Sequence, residues 1–288
     1  MSFSEKYKKI YSVVEEDVEK VKKQVLSELK NSDEIKNELF ELFNSPSKHI
    51  RAVLSFLYLR ANNIDVTDKQ ICYQAIIELI HNGSLIHDDV IDNSEIRRNQ
   101  KTLNYTYGNH LSVVAGDLVL AFALKKMADL NSSEHTCLIA KTIAKMCEGE
   151  INQNNSKFKI PTMDEYLKKT YNKTGTLFEA AISGAVMIQN KNNFKDAADF
   201  GKNFGIAFQI RDDIKNIENN LPDSDIKNGV YTASVIYSQN PNDPSSGIEK
   251  AKGLLNNYIQ EAEKSLNNIP ENEYKSAIIN LLELINHE

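Results

Sequence analysis

Proline and glycine are scarce in this chain, with 6 and 11 among 288 residues. So few backbone breakers disfavour a turn-rich β protein and favour long helices. Cysteine is rare as well. Cys72, Cys137 and Cys147 are odd in number and lack metal-ligand spacing, so they are expected to be buried thiols in a reducing compartment, not a disulfide framework. No run approaches the roughly 18 apolar residues of a membrane-spanning helix. The N-terminal MSFSEKYKKIYSVVEEDVEK is charged from the outset and lacks the apolar core of a signal peptide, so a cytoplasmic protein is expected. No dense Lys/Arg stripe appears, and a formal charge of −6 argues against nucleic acid as the main partner. An anionic substrate has to be recruited by local basic groups or by a bound cation.

What is present is helical. Hydrophobic residues make up 41% and charged residues 26%, enough for a core and a solvated surface. Tyr7, Ile10, Tyr11, Val14, Val18 and Val21 form one stripe, which predicts a single amphipathic helix over 4–30. A short helix is expected over 34–44. Ser45-Pro46-Ser47 then breaks the chain before KHIRAVLSFLYLRA. Thr67 and Gln70 have capping-box spacing and open a central helix that runs to about Asp92. Residues 93–107 read as irregular, 109–128 and 133–156 as helices. Pro161-Thr162 with Glu165 starts another helix, which Thr174-Gly175 kinks or splits. A long helix is expected over 194–218, a polar mobile lid over 219–229, a Ser246–Glu249 cap on the penultimate helix, and a last helix after Pro270. No strand alternation, repeat or linker is visible. The expectation is one all-α domain, 1–288, of ten or more helices.

The chemistry concentrates in ELIHNGSLIHDDVIDNSEIRRNQKT (78–102). At about 3.6 residues per turn, Asp88 and Asp92 share a helix face, with Asp89 beside them. Adjacent carboxylates repel unless a cation lies between them. Oxygen-only ligands suit Mg²⁺, which completes its shell with phosphate and water. Arg97 and Arg98 supply donors for phosphate oxygens. A second acidic pair lies in FQIRDDIKN (208–216), where Asp212 and Asp213 are followed one turn on by Asn216. Two helices that each offer carboxylates can clamp a diphosphate through bridging metals.

With GN–VVAGDLVLAFAL (108–124), GE–NQ (149–153) and KTGTLFEAA (173–181) between them in order, these motifs resemble the trans-isoprenyl diphosphate synthases over about residues 45–240. The resemblance implies the all-α isoprenoid synthase fold with a central active-site cavity. It also implies a Mg²⁺-dependent prenyltransferase that joins isopentenyl diphosphate head-to-tail (1′-4) to an allylic diphosphate. Asp88 and Asp92 match ligands of two Mg²⁺ ions and Asp212 the ligand of a third. Asp89 and Asp213 support them, Asp213 and Asn216 being further candidate ligands. Arg97 matches the arginine on the allylic diphosphate. Lys173, Thr174 and Gln209 match residues that steady the leaving group or the developing cation. Lys48, Arg51, His81 and Arg98 match the metal-free pocket for isopentenyl diphosphate. His81 also shares a helical stripe with Leu85, Asp88 and Asp92. Ionisation follows from neutralising the departing diphosphate, and no side-chain nucleophile or base is required. A homodimer, with 109–128 as the interface element, is a further implication.

Departures from the pattern are specific. Val230 stands where the family often has a diphosphate-binding lysine, a loss of roughly 1.5–3 kcal/mol unless Lys215 or Lys227 substitutes. Asn216 replaces an aspartate, Pro46-Ser47 replaces two glycines, and Asn99 follows the arginine pair where glycine is common. In the family, bulky residues four and five positions before the first aspartate stop chain growth. Here those positions are Gly83 and Ser84, both small. The next large residues are Ile80 and Ile77, the latter roughly 16 Å below Asp88. A product of C20 or longer is therefore expected. A terpene cyclase of the same fold needs no isopentenyl diphosphate pocket, and a weakly active or non-catalytic subunit of a heteromeric synthase is the other reading, on Val230 and Asn216.

Overall fold

The computed structural model describes residues 3–29, 34–45, 47–98, 100–189, 194–219 and 224–287. Along the chain come α1 (Phe3–Ser12), α2 (Glu15–Leu29), α3 (Glu34–Asn44), α4 (Ile50–Ala61) and α5 (Asp68–Ile91). A two-residue hairpin follows, β1 (Ile96–Arg97) antiparallel to β2 (Gln100–Lys101). Then come α6 (Leu103–Leu130), α7 (Ser133–Asn155), α8 (Met163–Thr170), a π-helical turn (Tyr171–Gly175), α9 (Thr176–Met187), α10 (Phe194–Glu218), α11 (Ser224–Lys227) and α12 (Ala233–Ser238). A 3-10 turn (Pro244–Gly247), α13 (Ile248–Lys264) and α14 (Glu273–His287) complete it. The all-α reading holds, and among the described residues no helix is long and apolar enough to cross a membrane.

Several sequence expectations need correction. The single helix over 4–30 is two, broken at Val13–Val14, because the stripe serves two separate cores. Residues 93–107 are not wholly irregular, since they contain the hairpin and the first turn of α6, which is kinked at Gly108 (φ 80°). Ser246 does not cap α13. Its hydroxyl bonds the Asp243 carbonyl inside the 3-10 turn, and α13 starts after Gly247. Cys137 and Cys147 are exposed and Cys72 is half-buried, so the thiols are not core groups. Pro46, Asn99 and residues 220–223 of the expected lid lie outside the described residues.

The described chain divides into two compact units, and one of the crossings between them falls inside α4. Unit I comprises residues 14–56 and 65–136; unit II holds the residues up to Val13, Leu57–Ile64 and those from Cys137 onward.

In unit I, α5 packs along α6 and against α2. Val18, Val21, Val25 and Leu29 of α2 are buried. Each such side chain contributes about 1.5–3 kcal/mol relative to exposure. Glu28 ties α2 to α6 through Lys125 (3.0 Å) and Lys126 (3.1 Å). The α5–α6 contact relies on two glycines. A Cβ on Gly83 meets Val119 and Leu120 at 3.4 Å, and one on Gly116 would strike the His87 ring. The Thr67 N–H donates to Gln70 Oε1 at 3.0 Å, so the capping box fixes where α5 starts and hence the phase of its site residues.

In unit II, α10 packs on α9 and α13, and α1 on α14. Phe178, Phe200, Phe204 and Phe208 form a run of tilted and stacked rings, with Tyr58 on Phe200. Gly205 lets α10 approach the π-helical turn, because a Cβ there would lie 2.7 Å from Gly175 Cα. Gly201 does the same against the Phe178 carbonyl, also at 2.7 Å.

Candidate active site

The last turn of α5 carries the first acid cluster. Asp92 closes the helix as its C-cap, its N–H donating to the Asp88 carbonyl at 2.8 Å, so the two acids are held one turn apart. Asp92 is exposed and Asp88 half-buried, whereas Asp89 turns inward and is 7% exposed. Burial raises the Asp89 carboxyl pKa above its ordinary range, against the pull of Arg97. Arg97 Nε donates to Asp89 Oδ1 at 2.7 Å. The hairpin returns both arginines to the helix end: Thr102 Oγ1 donates to the Ser94 carbonyl at 2.7 Å, and Asn104 Nδ2 to those of Ser94 and Asp89 at 3.0 and 3.2 Å. Arg98 takes a left-handed backbone (φ 51°) at the hairpin turn.

One to three turns back along α5 lies a cationic cluster. Arg51 is buried, and burial lowers its pKa to about 10, with the Glu78 charge opposing and Arg98 adding. It remains a cation at neutral pH. The imidazole of His81 is pushed well below its ordinary value, by burial first and then by Arg51, Arg98, Arg97 and His49. His81 is therefore neutral at pH 7. Glu78, 3% exposed, balances the cluster. Its burial works to raise its pKa, but a 2.9 Å bond to His49 Nδ1 and the charges of His49, Arg51 and Arg98 hold it below the ordinary carboxylate range. His49 reaches it from a left-handed backbone (φ 46°). Lys48 is exposed beside it. Glu78 and His49 were missed in the sequence, although a lone acid inside the apolar AIIELI is a signal for a buried partner. Below the acids, Ser84 Oγ donates to the His81 carbonyl at 2.8 Å, and Ile80 and Ile77 are buried.

Unit II carries the second acid pair on α10. Asp213 is 6% exposed, and both its oxygens are taken: Gln209 Nε2 donates to Oδ1 at 2.8 Å and the Tyr166 hydroxyl to Oδ2 at 2.6 Å. Burial and the Asp213 charge raise the Tyr166 pKa well above its ordinary value, so it stays a donor. Asp212 is half-buried and accepts from Arg211 Nη1 at 2.9 Å. The π-helical turn swings Lys173 and Thr174 into this network. Thr174 Oγ1 donates to Gln209 Oε1 at 2.8 Å, and Lys173 Nζ pairs with Glu150 Oε2 at 2.6 Å. Such turns are frequent at functional sites. Glu150, in the GE–NQ block, had been assigned no role. Asn216 is half-buried. Lys215 lies over the Phe3 ring (5.8 Å to the centroid), and Lys227 is exposed at the end of α11.

Among the described residues no group of three or more His, Cys, Asp or Glu could hold a metal ion. The Asp88–Asp92 pair and, separately, the single carboxylate of Asp212 are hard oxygens that fit Mg²⁺, which takes one or two carboxylates and fills the rest with phosphate and water.

The sequence model described as Polyprenyl synthetase matches residues 32–272. The chain is 30% identical to the decaprenyl-diphosphate synthase of Dictyostelium discoideum, over 84% of this chain and 60% of that protein. It is also 30% identical to the prenyl transferase of Cyanidium caldarium, over 82% and 84% of the two chains. The crystal structure of a Caulobacter crescentus polyprenyl synthase, complexed with calcium and isoprenyl diphosphate, has a TM-score of 0.89 at 22% identity and covers 98% of each chain. With the aspartate-bearing helices, the family match over 32–272 and the shared fold in agreement, the chain belongs to the Polyprenyl synthetase family of prenyltransferases.

Proposed function

We propose that this protein condenses isopentenyl diphosphate head-to-tail (1′-4) with an allylic diphosphate, in a Mg²⁺-dependent reaction that releases diphosphate and yields a trans-polyprenyl diphosphate of C20 or longer. The observation that carries this reading is the cluster of Arg51, Arg98 and neutral His81 around buried Glu78. It is a second anion site beside the first aspartates, and an enzyme using only an allylic diphosphate has no need of it. Arg51 and Arg98 supply charge, and His81 supplies a ring N–H without a proton to lose at neutral pH. Lys48 completes the set from an exposed position.

Asp88, Asp92 and Asp212 would hold Mg²⁺ in this reading, which when bound would supply positive charge against the allylic diphosphate, with three ions as the expected number. Asp89 and Asp213 act by positioning: one fixes Arg97, the other fixes Gln209 and Tyr166. Lys173 is held by Glu150 and Thr174 by Gln209, so both face the leaving diphosphate from pre-set positions. No side chain is needed as base, because the proton lost after addition passes to the released diphosphate. Small Ser84 carries the expectation of a long chain, since Val119 and Leu120 of α6 occupy the space beside Gly83, with Ile80 and Ile77 below. Relatives that include a decaprenyl and a solanesyl diphosphate synthase support a long product. A homodimer is part of the same reading, resting on the exposed apolar residues Val113, Val114 and Leu124 of α6.

The test is incubation of the pure protein with Mg²⁺, labelled isopentenyl diphosphate and allylic primers of several lengths, followed by sizing of the products. Incorporation to C20 or beyond is expected, and Arg51→Lys should raise the KM for isopentenyl diphosphate about tenfold through loss of the guanidinium fork. Hydrocarbon from primer alone would assign a cyclase. Silence rescued by a second chain would assign a subunit, and a clean stop at C15 would overturn the chain-length reading.

A further inference from the structure

The π-helical turn Tyr171–Gly175 carries Lys173 and Thr174 on a wider hydrogen-bonding pattern than its flanking helices. The Thr176 N–H donates to the Tyr171 carbonyl, five residues back. Such turns are rare and occur as single bulges within an α-helical run, so this one needs restraints. α7 is the first. A Cβ on Gly149 would lie 3.0 Å from Lys173 N and 3.1 Å from Asn172 Cβ, so α7 lies close against the turn backbone there. Tyr171, the first residue of the turn, is the second. Its hydroxyl donates to Glu179 Oε2 at 2.7 Å and accepts from Lys145 Nζ at 2.8 Å. Lys145 belongs to α7 and Glu179 to the first turn of α9, so one oxygen ties three elements together. The ring is fixed as well. A Cβ on Gly175 would lie 3.1 Å from Tyr171 Cδ2, and Lys202 Nζ of α10 lies 5.5 Å from the ring centroid. Burial raises the phenol pKa above its ordinary value, with Lys145 opposing and Glu179 adding, so the hydroxyl keeps its proton at neutral pH. Residues two apart on a helical turn do not face each other, so Tyr171 leaves Lys173 to its bond with Glu150.

We propose that Tyr171 is a positioning residue for prenyl transfer, its hydroxyl clasped between Lys145 and Glu179 so that the turn holds Lys173 and Thr174 toward the leaving diphosphate. Its part in catalysis rests on the prenyl-transfer reading above, whereas the clasp is a property of the turn itself. Relaxation of the turn by one residue to the ordinary helical register moves its side chains about 1.5 Å along the axis and rotates them by roughly 100°. That displacement breaks the Thr174–Gln209 bond.

Tyr171→Phe keeps the ring and deletes the oxygen. It is expected to lower kcat by about ten- to a hundredfold, while the KM for isopentenyl diphosphate stays within about twofold. In a Lys173→Met/Thr174→Val background the same change is expected to cost less than about twofold more, because the clasp acts through those two side chains. Losses that multiply in that background, or an unchanged kcat in Tyr171→Phe, overturn the positioning role. Glu179→Gln keeps an acceptor for the hydroxyl and is expected to retain most of the turnover that Glu179→Leu loses; equal losses overturn it as well. Lys145 is half-buried, and Lys145→Met takes the same tests, with the same direction expected, if Tyr171→Phe does not fold. Amide hydrogen exchange separates the clasp from the reaction. The Thr176 amide is expected to lose protection about tenfold in Tyr171→Phe, and unchanged protection refutes the clasp whatever the activity. Failure of the wild-type protein to elongate any primer overturns the synthase reading instead, and the exchange measurement still decides the clasp.

Discussion

In each acid pair one carboxylate faces inward and its neighbour outward. Asp213 is engaged on both oxygens by Gln209 and Tyr166, whereas Asp212 is half-buried beside Arg211. The two aspartates should therefore fail differently. Asp213→Ala strands a buried hydroxyl and a buried amide, at a cost of about 1–3 kcal/mol for each unsatisfied group. Its loss should appear in the urea midpoint. Asp212→Ala should leave that midpoint within about 1 kcal/mol of wild type while lowering kcat by about 10²–10³-fold, the scale of a removed transition-state electrostatic contact. Equal destabilisation by both substitutions would refute this division. The same logic separates Asp89, held by Arg97, from Asp88 and Asp92 at the helix end.

At the level of elements, the site depends on how closely helices approach. Gly205→Ala places a methyl 2.7 Å from Gly175 Cα and about 3 Å from Phe178, so α10 must move away from the turn carrying Lys173 and Thr174. A loss of about 1–3 kcal/mol is expected, with a larger proportional loss of turnover as the Thr174–Gln209 bond opens. Retained stability with retained activity would show that the contact is slack. On α6, Leu124 is 64% exposed and Val114 50%. If that face joins two copies, Leu124→Glu should convert a dimer to a monomer in light scattering; an unchanged mass would remove α6 from the interface. Much of this architecture was legible beforehand. The starts of α5 and α8 carry capping boxes that fix where both helices begin. The break at Val13–Val14 was not legible, because the stripe from Tyr7 to Val21 is continuous in periodicity and divides only by the core it serves. The hairpin at 96–101 is too short to alternate. Among site residues, the Asp88–Asp92 pair and the adjacent arginines were read from spacing, whereas Arg51 and the role of Asp212 came with the family resemblance. Glu78, His49 and Glu150 came from neither, since a sequence lists side chains but not the partners that give them a role.

At the scale of the whole molecule, the Arg51–Arg98–His81 cluster should govern stability against acid. Burial and neighbouring cations hold His81 well below the ordinary histidine value in the native state. The unfolded chain takes up that proton near pH 6.5 and the folded chain does not. The unfolded state then binds more protons, so stability falls as pH drops below about 6.5, with a limiting slope of about 1.4 kcal/mol per pH unit. Glu78 adds a loss of the same sign, but only below its ordinary value of 4.5, because its folded pKa is depressed. Asp89, whose pKa is raised, opposes it in that acidic range and not near neutrality. Between pH 7 and 5.5 the His81 contribution therefore stands apart from these carboxylates and amounts to roughly 1 kcal/mol. His81→Gln should remove that increment from the pH dependence of urea unfolding while leaving the steeper loss below pH 4.5. If the variant and the wild type keep parallel profiles through pH 5.5, His81 is protonated in the folded protein. The cluster around Glu78 would then hold a third cation in place of a neutral donor.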